Sequence, residues 1–197
     1  MQRQPERTII LASTSPYRRE LLTRLGLAFQ VVAPQVDEIA LARELPRQTA
    51  LRLAQAKALA VARSFPSAVV IGSDQVAEHD GMPLGKPETH PRAVAQLRRM
   101  RANTVVFHTA VCVQCTESGF SQTELAEVVV RFRDLSDAAI ESYLQIEKPY
   151  DCAGSARCEG LGIALMESIN SDDPTALVGL PLIRTSQMLR AAGIALL

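Results

Sequence analysis

The chain has no tryptophan, and its aromatic share is 4%, made up of five phenylalanines and three tyrosines. Its core must therefore be filled by aliphatic side chains, and a flat ligand has few faces to stack on. It has no excess charge either: 21 basic residues balance 21 acidic ones. No global field recruits nucleic acid or a membrane surface, so selection of a polyanion must come from a local cluster. It has no apolar run long enough to span a bilayer. The first such run, Ile9-Ile10-Leu11-Ala12, is too short even for the core of a signal peptide, and the chain reads as cytoplasmic. It has neither a P-loop nor a G-x-G-x-x-G, which excludes the standard kinase and Rossmann phosphate cradles. His79, His90 and His108 share no spacing or motif. Cys112 and Cys115 have C-x-x-C spacing, but no second pair of ligands follows, and they sit on an expected strand. Residues three apart on a strand point to opposite faces, so the four cysteines read as reduced thiols, mostly buried.

What is present is a chain of 197 residues, 47% hydrophobic, enough for one large domain or two small lobes around a cleft. Residues 1–197 read as a single unit without repeat, linker or low-complexity segment. A short β-branched strand at Thr8–Ala12 leads into Ser13-Thr14-Ser15-Pro16, where Ser15 suits an N-cap and Pro16 a first helical position. Gly26 ends that helix, and a second strand runs over Phe29–Ala33. Helices are expected over Arg47–Ser64 and Thr89–Ala102, and from the Ser136 cap to Ile146. Strands are expected at Ala68–Val76, Thr104–Cys115 and Glu124–Arg133. Asp80-Gly81 marks a hairpin turn. A glycine-containing loop around Ala153–Gly162 precedes a strand at Ile163–Ile169, and Pro181 opens a last helix. Mixed alternating and hairpin connections indicate an α/β fold with a mixed sheet.

Four segments carry polar residues that packing does not explain. In Ser13–Arg19, a strand end, hydroxyls and a helix start are followed by arginines that oppose the helix dipole. A phosphate would be met there by amides, hydroxyls and guanidinium together; a capped surface helix with solvated arginines is the plainer alternative. Val36-Asp37-Glu38 offers carboxylates of the kind hard divalent cations require; two adjacent carboxylates in a surface loop are the plainer alternative. Asp74 follows the buried run Val69-Val70-Ile71, where a charge needs a partner and where α/β proteins place functional groups. Lys57 interrupts an alanine-rich helix, and Lys86 sits between Gly85 and Pro87. Either lysine is long enough to reach a phosphate, or to snorkel to solvent.

Together these segments resemble one family. Leu11-Ala12-Ser13-Thr14-Ser15-Pro16-Tyr17-Arg18-Arg19-Glu20-Leu21-Leu22 is similar to the opening motif of the Maf-like nucleotide pyrophosphatases. Val36-Asp37-Glu38, the Lys57 helix, Ser73-Asp74-Gln75, Gly85-Lys86-Pro87, Ala153-Gly154-Ser155 and Leu177-Val178-Gly179-Leu180-Pro181 follow in the family's order. The resemblance covers essentially the whole chain. It implies an inosine triphosphate pyrophosphatase-like fold, with a mixed, curved sheet, flanking helices and two lobes around a cleft. It also implies hydrolysis of a nucleoside triphosphate between its α- and β-phosphates with a divalent cation (Mg, Mn or Co), and it leaves room for a homodimer. Carried over by motif, Arg18, Lys57 and Lys86 would hold the triphosphate with Ser13 and Ser15 nearby. Glu38 and Asp74 would ligate the metal, and Asp74 would be the general base. At three positions that separate the family's branches the chain has Tyr17, Gln75 and Glu159, which resembles the 7-methyl-GTP branch, although that branch has tryptophan where Tyr17 stands. The alternatives are a pyrophosphatase for dTTP, UTP or other modified nucleotides, and a non-catalytic nucleotide-binding regulator of septum formation.

Overall fold

The computed structural model describes residues 7–197; the polar stretch at residues 1–6 lies outside them. The strands are β1 (Ile9–Ala12), β2 (Gln30–Val32), β3 (Val69–His79), β4 (Met82–Leu84), β5 (Thr104–Cys115), β6 (Phe120–Phe132) and β7 (Met166–Asn170). The helices are α1 (Pro16–Thr23), α2 (Pro46–Ala62), α3 (His90–Met100), α4 (Asp137–Glu147) and α5 (Leu182–Ala191). One mixed sheet runs β2-β1-β3-β5-β6-β7, with β4 paired to β3. The Asp80-Gly81 turn joins β3 to β4 with positive φ at both residues, as a tight hairpin of right-twisted strands needs.

Alternation along the strands builds the core. Ile9, Leu11, Val69, Ile71, Val111 and Val113 face α1 and α5. Ile10, Ala12, Val70, Ala110 and Cys112 face α2. Here the sheet is covered on both faces, so its strands read as continuous apolar runs. Farther along β5 and β6, Val105, Phe107, Val128, Val130 and Phe132 pack on α3 and α4, while the opposite side of β6 alternates out to solvent. These are the two faces that C-x-x-C spacing implied: Cys112 and Cys115 belong to opposite core clusters, and all four cysteines are free.

β3 is longer than its apolar run and crosses both halves. On one edge it pairs with β5 over Val70–Glu78. On the other it pairs with β1 in parallel up to Gly72 and with β4 antiparallel from Ala77 onward. The edge between Gly72 and Ala77 has no strand beside it, and a cleft opens there. Asp74 is thus within β3 rather than at its end; the strand that ends beside it is β1. Two other expectations shift. β6 begins at Phe120, because Ser121, Gln122 and Thr123 pair fully with β5 despite their polarity. The strand expected from Ile163 starts at Met166, because Leu161–Leu165 is a 3-10 segment. Gly162 there lies so close to the Arg157 backbone that no Cβ would fit.

Candidate functional site

Period-2 alternation sends the residues of β3 in the gap to two sides. Asp74 follows Val70 and Gly72 toward α2; Ser73 and Gln75 point to the other face. Gly72 sets the α2 side. A Cβ on it would strike the Ala54 carbonyl and the Ala58 amide, so only glycine lets α2 approach this closely. That approach brings Lys57, on the same helix, to Asp74. The Lys57 Nζ donates to Asp74 Oδ1 at 2.7 Å and lies 3.0 Å from Glu38 Oε2. Lys57 is 4% exposed and Asp74 6%, so Lys57 does not snorkel. The Lys57–Asp74 pair is held in a poorly hydrated site, where each charge depends on the other, while Glu38 reaches Lys57 from the solvent side with its carboxylate largely exposed. Burial pushes the Asp74 carboxyl above the ordinary carboxylate range, against the pull of Lys57 and Arg18. Burial likewise lowers the Arg18 pKa, and Asp74 and Glu38 oppose that shift.

On the other side, the loop before α5 supplies backbone carbonyls. Arg18 Nε donates to the Gly179 carbonyl at 2.8 Å. The Ser73 hydroxyl lies 2.9 Å from the same oxygen and 2.8 Å from the Ala110 carbonyl. Gln75 Nε2 is surrounded by Thr109 Oγ1 and the carbonyls of Ala176 and Leu177, all within 3.0 Å. Its amide nitrogen is therefore used to pin this loop, and its carbonyl oxygen is what it can offer a ligand. Fully buried Asp173 anchors the loop's far end, accepting from Arg184 N and Thr175 Oγ1. Sequence reading named the Leu177–Pro181 block without seeing its task, which is to aim Arg18 and Gln75 through carbonyls that carry no side-chain signal.

The turn Ser13–Ser15 closes the end of β1. Ser15 N donates to Ser13 Oγ, and Ser15 Oγ caps α1 by accepting from Arg18 N. Both hydroxyl protons stay available to an anion. Tyr17 lies one turn away, with the Arg157 guanidinium 5.3 Å from its ring centroid, and its hydroxyl donates to Asp151 Oδ2 at 3.4 Å. Burial raises the Tyr17 pKa well above its ordinary value, so the phenol is neutral.

Ser13, Ser15, Tyr17, Arg18, Glu38, Lys57, Asp74, Gln75, Lys86 and Glu159 all line one cavity of about 720 Å³. That volume suits a nucleotide-sized ligand. The residues are not equally placed. Arg18, Lys57, Asp74 and Glu38 form one charged group; Tyr17 and Glu159 stand apart from it; Lys86 and Glu159 are exposed. Among the described residues no three His, Cys, Asp or Glu side chains cluster as ready metal ligands. The donor set at Lys57 is two oxygen-bearing side chains converging on one positive centre. That fits a hard divalent cation which completes its shell with water and phosphate oxygens.

The family model described as Maf-like protein matches residues 8–192. A protein from Polaromonas sp. named 7-methyl-GTP pyrophosphatase is 68% identical, across 96% of this chain and 87% of its own length. Proteins of the same name from Albidiferax ferrireducens and Methylobacillus flagellatus are 66% and 57% identical. They cover 98% and 94% of this chain, and 96% and 97% of their own lengths. The Ham1 protein of Staphylococcus aureus overlaps structurally at a TM-score of 0.47 and 15% identity, over 65% of this chain and 73% of that one.

Proposed function

Because the chain belongs to the Maf family, we propose that it hydrolyses 7-methyl-GTP to 7-methyl-GMP and pyrophosphate, acting on the nucleotide pool of the cytoplasm. The observation that carries this reading is one cavity lined both by the charged group around buried Lys57 and Asp74 and by an aromatic ring and a carboxylate, Tyr17 and Glu159. The name borne by relatives that match nearly the whole chain supports the same substrate.

In this reading Arg18, Lys57 and Lys86 neutralise the triphosphate, and the Ser13 and Ser15 hydroxyls donate to its oxygens. Asp74 orients a water in line with the leaving pyrophosphate and takes its proton. Lys57, which opposes the effect of burial on the Asp74 carboxyl, shares its charge with the phosphates when they arrive. Glu38 and Asp74 would hold the divalent cation, which when bound supplies charge neutralisation to the phosphate oxygens. The 7-methylguanine ring is cationic and presents two neighbouring donors on one edge. Tyr17 offers a face for the cation, and Glu159 accepts from the donor edge while repelling the carbonyls of thymine or uracil. Gln75 contributes an acceptor oxygen.

The test is pyrophosphate release from 7-methyl-GTP, GTP, UTP and dTTP with Mg²⁺ or Mn²⁺. The expected result is fastest hydrolysis of 7-methyl-GTP. A faster rate on dTTP or UTP overturns the base assignment, and no release from any nucleotide overturns the enzymatic one.

A further inference from the structure

Tyr17 and Glu159 come from separate parts of the chain, yet one side chain touches both. Arg157 has its guanidinium 5.3 Å from the Tyr17 ring centroid and its Nε 3.6 Å from Glu159 Oε1. Its NH1 donates to Glu147 Oε1 at 3.0 Å, and its backbone N–H donates to Tyr143 Oη at 3.0 Å. Glu147 is itself fixed. Its second oxygen accepts from Leu161 N at 2.7 Å, and Gly160 lies so close that a Cβ would clash with the carboxylate. The segment 157–162 is therefore wound around the Glu147–Arg157 pair, which is anchored on the end of α4. Neither Arg157 nor Glu147 lines the cavity, whereas Tyr17 and Glu159 do. The pair stands behind the two residues that face the ligand.

One detail goes beyond anchoring. Arg157 Nε is buried without a hydrogen-bond partner, and the nearest carboxylate, that of Glu159, is just outside bonding distance. A buried unsatisfied donor is costly. A carboxylate that near stays aligned by charge while its Oε1 remains free for another donor; its Oε2 takes only the weak Cys158 Sγ donor at 3.5 Å. Guanidinium suits the position in a way ammonium does not, since it can lie over a ring with its flat face while its edge serves carboxylates.

We propose that Arg157 is a positioning residue for base selectivity, holding the Tyr17 ring and the Glu159 carboxylate in the one setting that fits a cationic purine with two edge donors. This rests on the reading of Tyr17 and Glu159 as the base-reading pair. Arg157 touches no reacting atom, so its loss acts on recognition and not on bond breaking.

The experiment measures kcat and KM with 7-methyl-GTP and with GTP in the wild type, Arg157→Ala, Arg157→Lys, Tyr17→Leu and Glu159→Gln, with melting temperatures alongside. Arg157→Ala is expected to lower the 7-methyl-GTP to GTP ratio of kcat/KM by about tenfold. The loss should appear as a raised KM when the methylated nucleotide is the substrate, with kcat on either nucleotide much less affected. Arg157→Lys should fall between it and the wild type. If Tyr17→Leu and Glu159→Gln lower the ratio while Arg157→Ala leaves it unchanged, the positioning role is overturned and the base-reading pair stands. If neither of those two variants moves the ratio, the base-reading pair falls and the positioning role with it. Equal losses on both nucleotides with a lower melting temperature, unrelieved by lysine, reduce Arg157 to a fold residue and also overturn the proposal. Should Arg157→Ala fail to fold, Arg157→Gln and Arg157→Lys carry the same comparison.

Discussion

The two ends of the cavity are built by different means. At the charged end, Asp74 and Lys57 come from within a strand and a helix, and Gly72 fixes the distance between those elements. Both side chains are nearly inaccessible, so their charges act in a medium where Coulomb forces are strong and little reorganisation is needed. At the other end, Glu159 sits on a loop and is exposed, and Tyr17 is only half-buried. Its geometry depends on a relay of side chains, from Glu147 to Arg157 to Glu159, and not on backbone ladders. In the function proposed above, bond breaking falls to the fixed, desolvated charges and base recognition to softer groups whose contribution is a preference, so variants of the two sets should differ in size and in kind.

The largest effect is expected at Asp74. Asp74→Asn keeps the shape, and Lys57 retains Glu38 as a partner 3.0 Å away. The variant should fold and bind nucleotide, with turnover lowered by roughly 10²-fold or more, as loss of a general base does. Steady-state kinetics with a parallel binding measurement checks this; near-normal turnover removes Asp74 from the role.

Next in size are the cations. Arg18→Ala and Lys57→Ala each remove a charge-assisted contact worth about 1.5–3 kcal/mol, so kcat/KM should fall about ten- to a hundredfold. Lys86 is exposed and its pull is screened by water, so Lys86→Ala should cost less than either. If Lys57→Ala lowers thermal stability but leaves the kinetics intact, Lys57 serves the fold alone.

The same contrast governs what the sequence could reveal. Lys57 was legible because a lysine inside an alanine-rich helix violates the local pattern, and Asp74 because a charge follows an apolar run. The α/β class and most elements followed from apolar runs, caps and the Asp80-Gly81 turn. Asp74's neighbourhood was not legible in detail. β3 continues past its apolar run because β5 pairs with it throughout, and β1 and β4 leave one edge open. That is a property of strand partners, not of residues 73–76. The carbonyls of Ala176, Leu177 and Gly179 left no side-chain trace. Arg157 looked like any loop arginine, since nothing in Ala153–Gly162 says that Glu147 and Tyr17 lie beside it. At the soft end the spacing of residues carries little information, and the resemblance to a family had to stand in for it.

At that end, Glu159→Gln keeps size and loses the charge that favours a cationic ring. The 7-methyl-GTP to GTP ratio of kcat/KM should fall about three- to tenfold, within what one exposed polar contact contributes, and hydrolysis of the poorer substrates should change little. A panel of nucleotides measured on both proteins decides it; an unchanged ratio takes Glu159 out of base recognition.

The smallest effect probes the one member of the charged end that is not carried by regular structure. Glu38 rides on the segment between β2 and α2, and a clasp behind it holds that segment to the helix. Arg52 donates to both oxygens of Glu44, at 2.6 and 2.7 Å, and to the Ile39 carbonyl; Glu44 also accepts from Leu41 N and Thr49 Oγ1. The hydrogen bonds from Arg52 lower the Glu44 pKa from the ordinary 4.5 to about 2. A carboxyl whose folded pKa lies below its unfolded one adds stability that is complete above the unfolded value. That stability is lost as pH falls through the folded value. The clasp should therefore act fully at neutral pH and weaken between about pH 4.5 and pH 2. Arg52 is partly exposed, so the pair is worth only about 1 kcal/mol, a shift of about 2–4 °C in Tm for a chain of this size. Glu44→Gln should melt that much earlier at pH 7, and the gap to the wild type should close on acidification across that window. Because Glu38 loses its backing, the variant should also need a few-fold more divalent cation for half-maximal hydrolysis, with kcat at saturating cation nearly intact. A melting gap that is the same at pH 7 and at pH 3 would show that Glu44 stabilises by packing rather than by charge. An unchanged cation requirement would show that Glu38 does not depend on the clasp for its position.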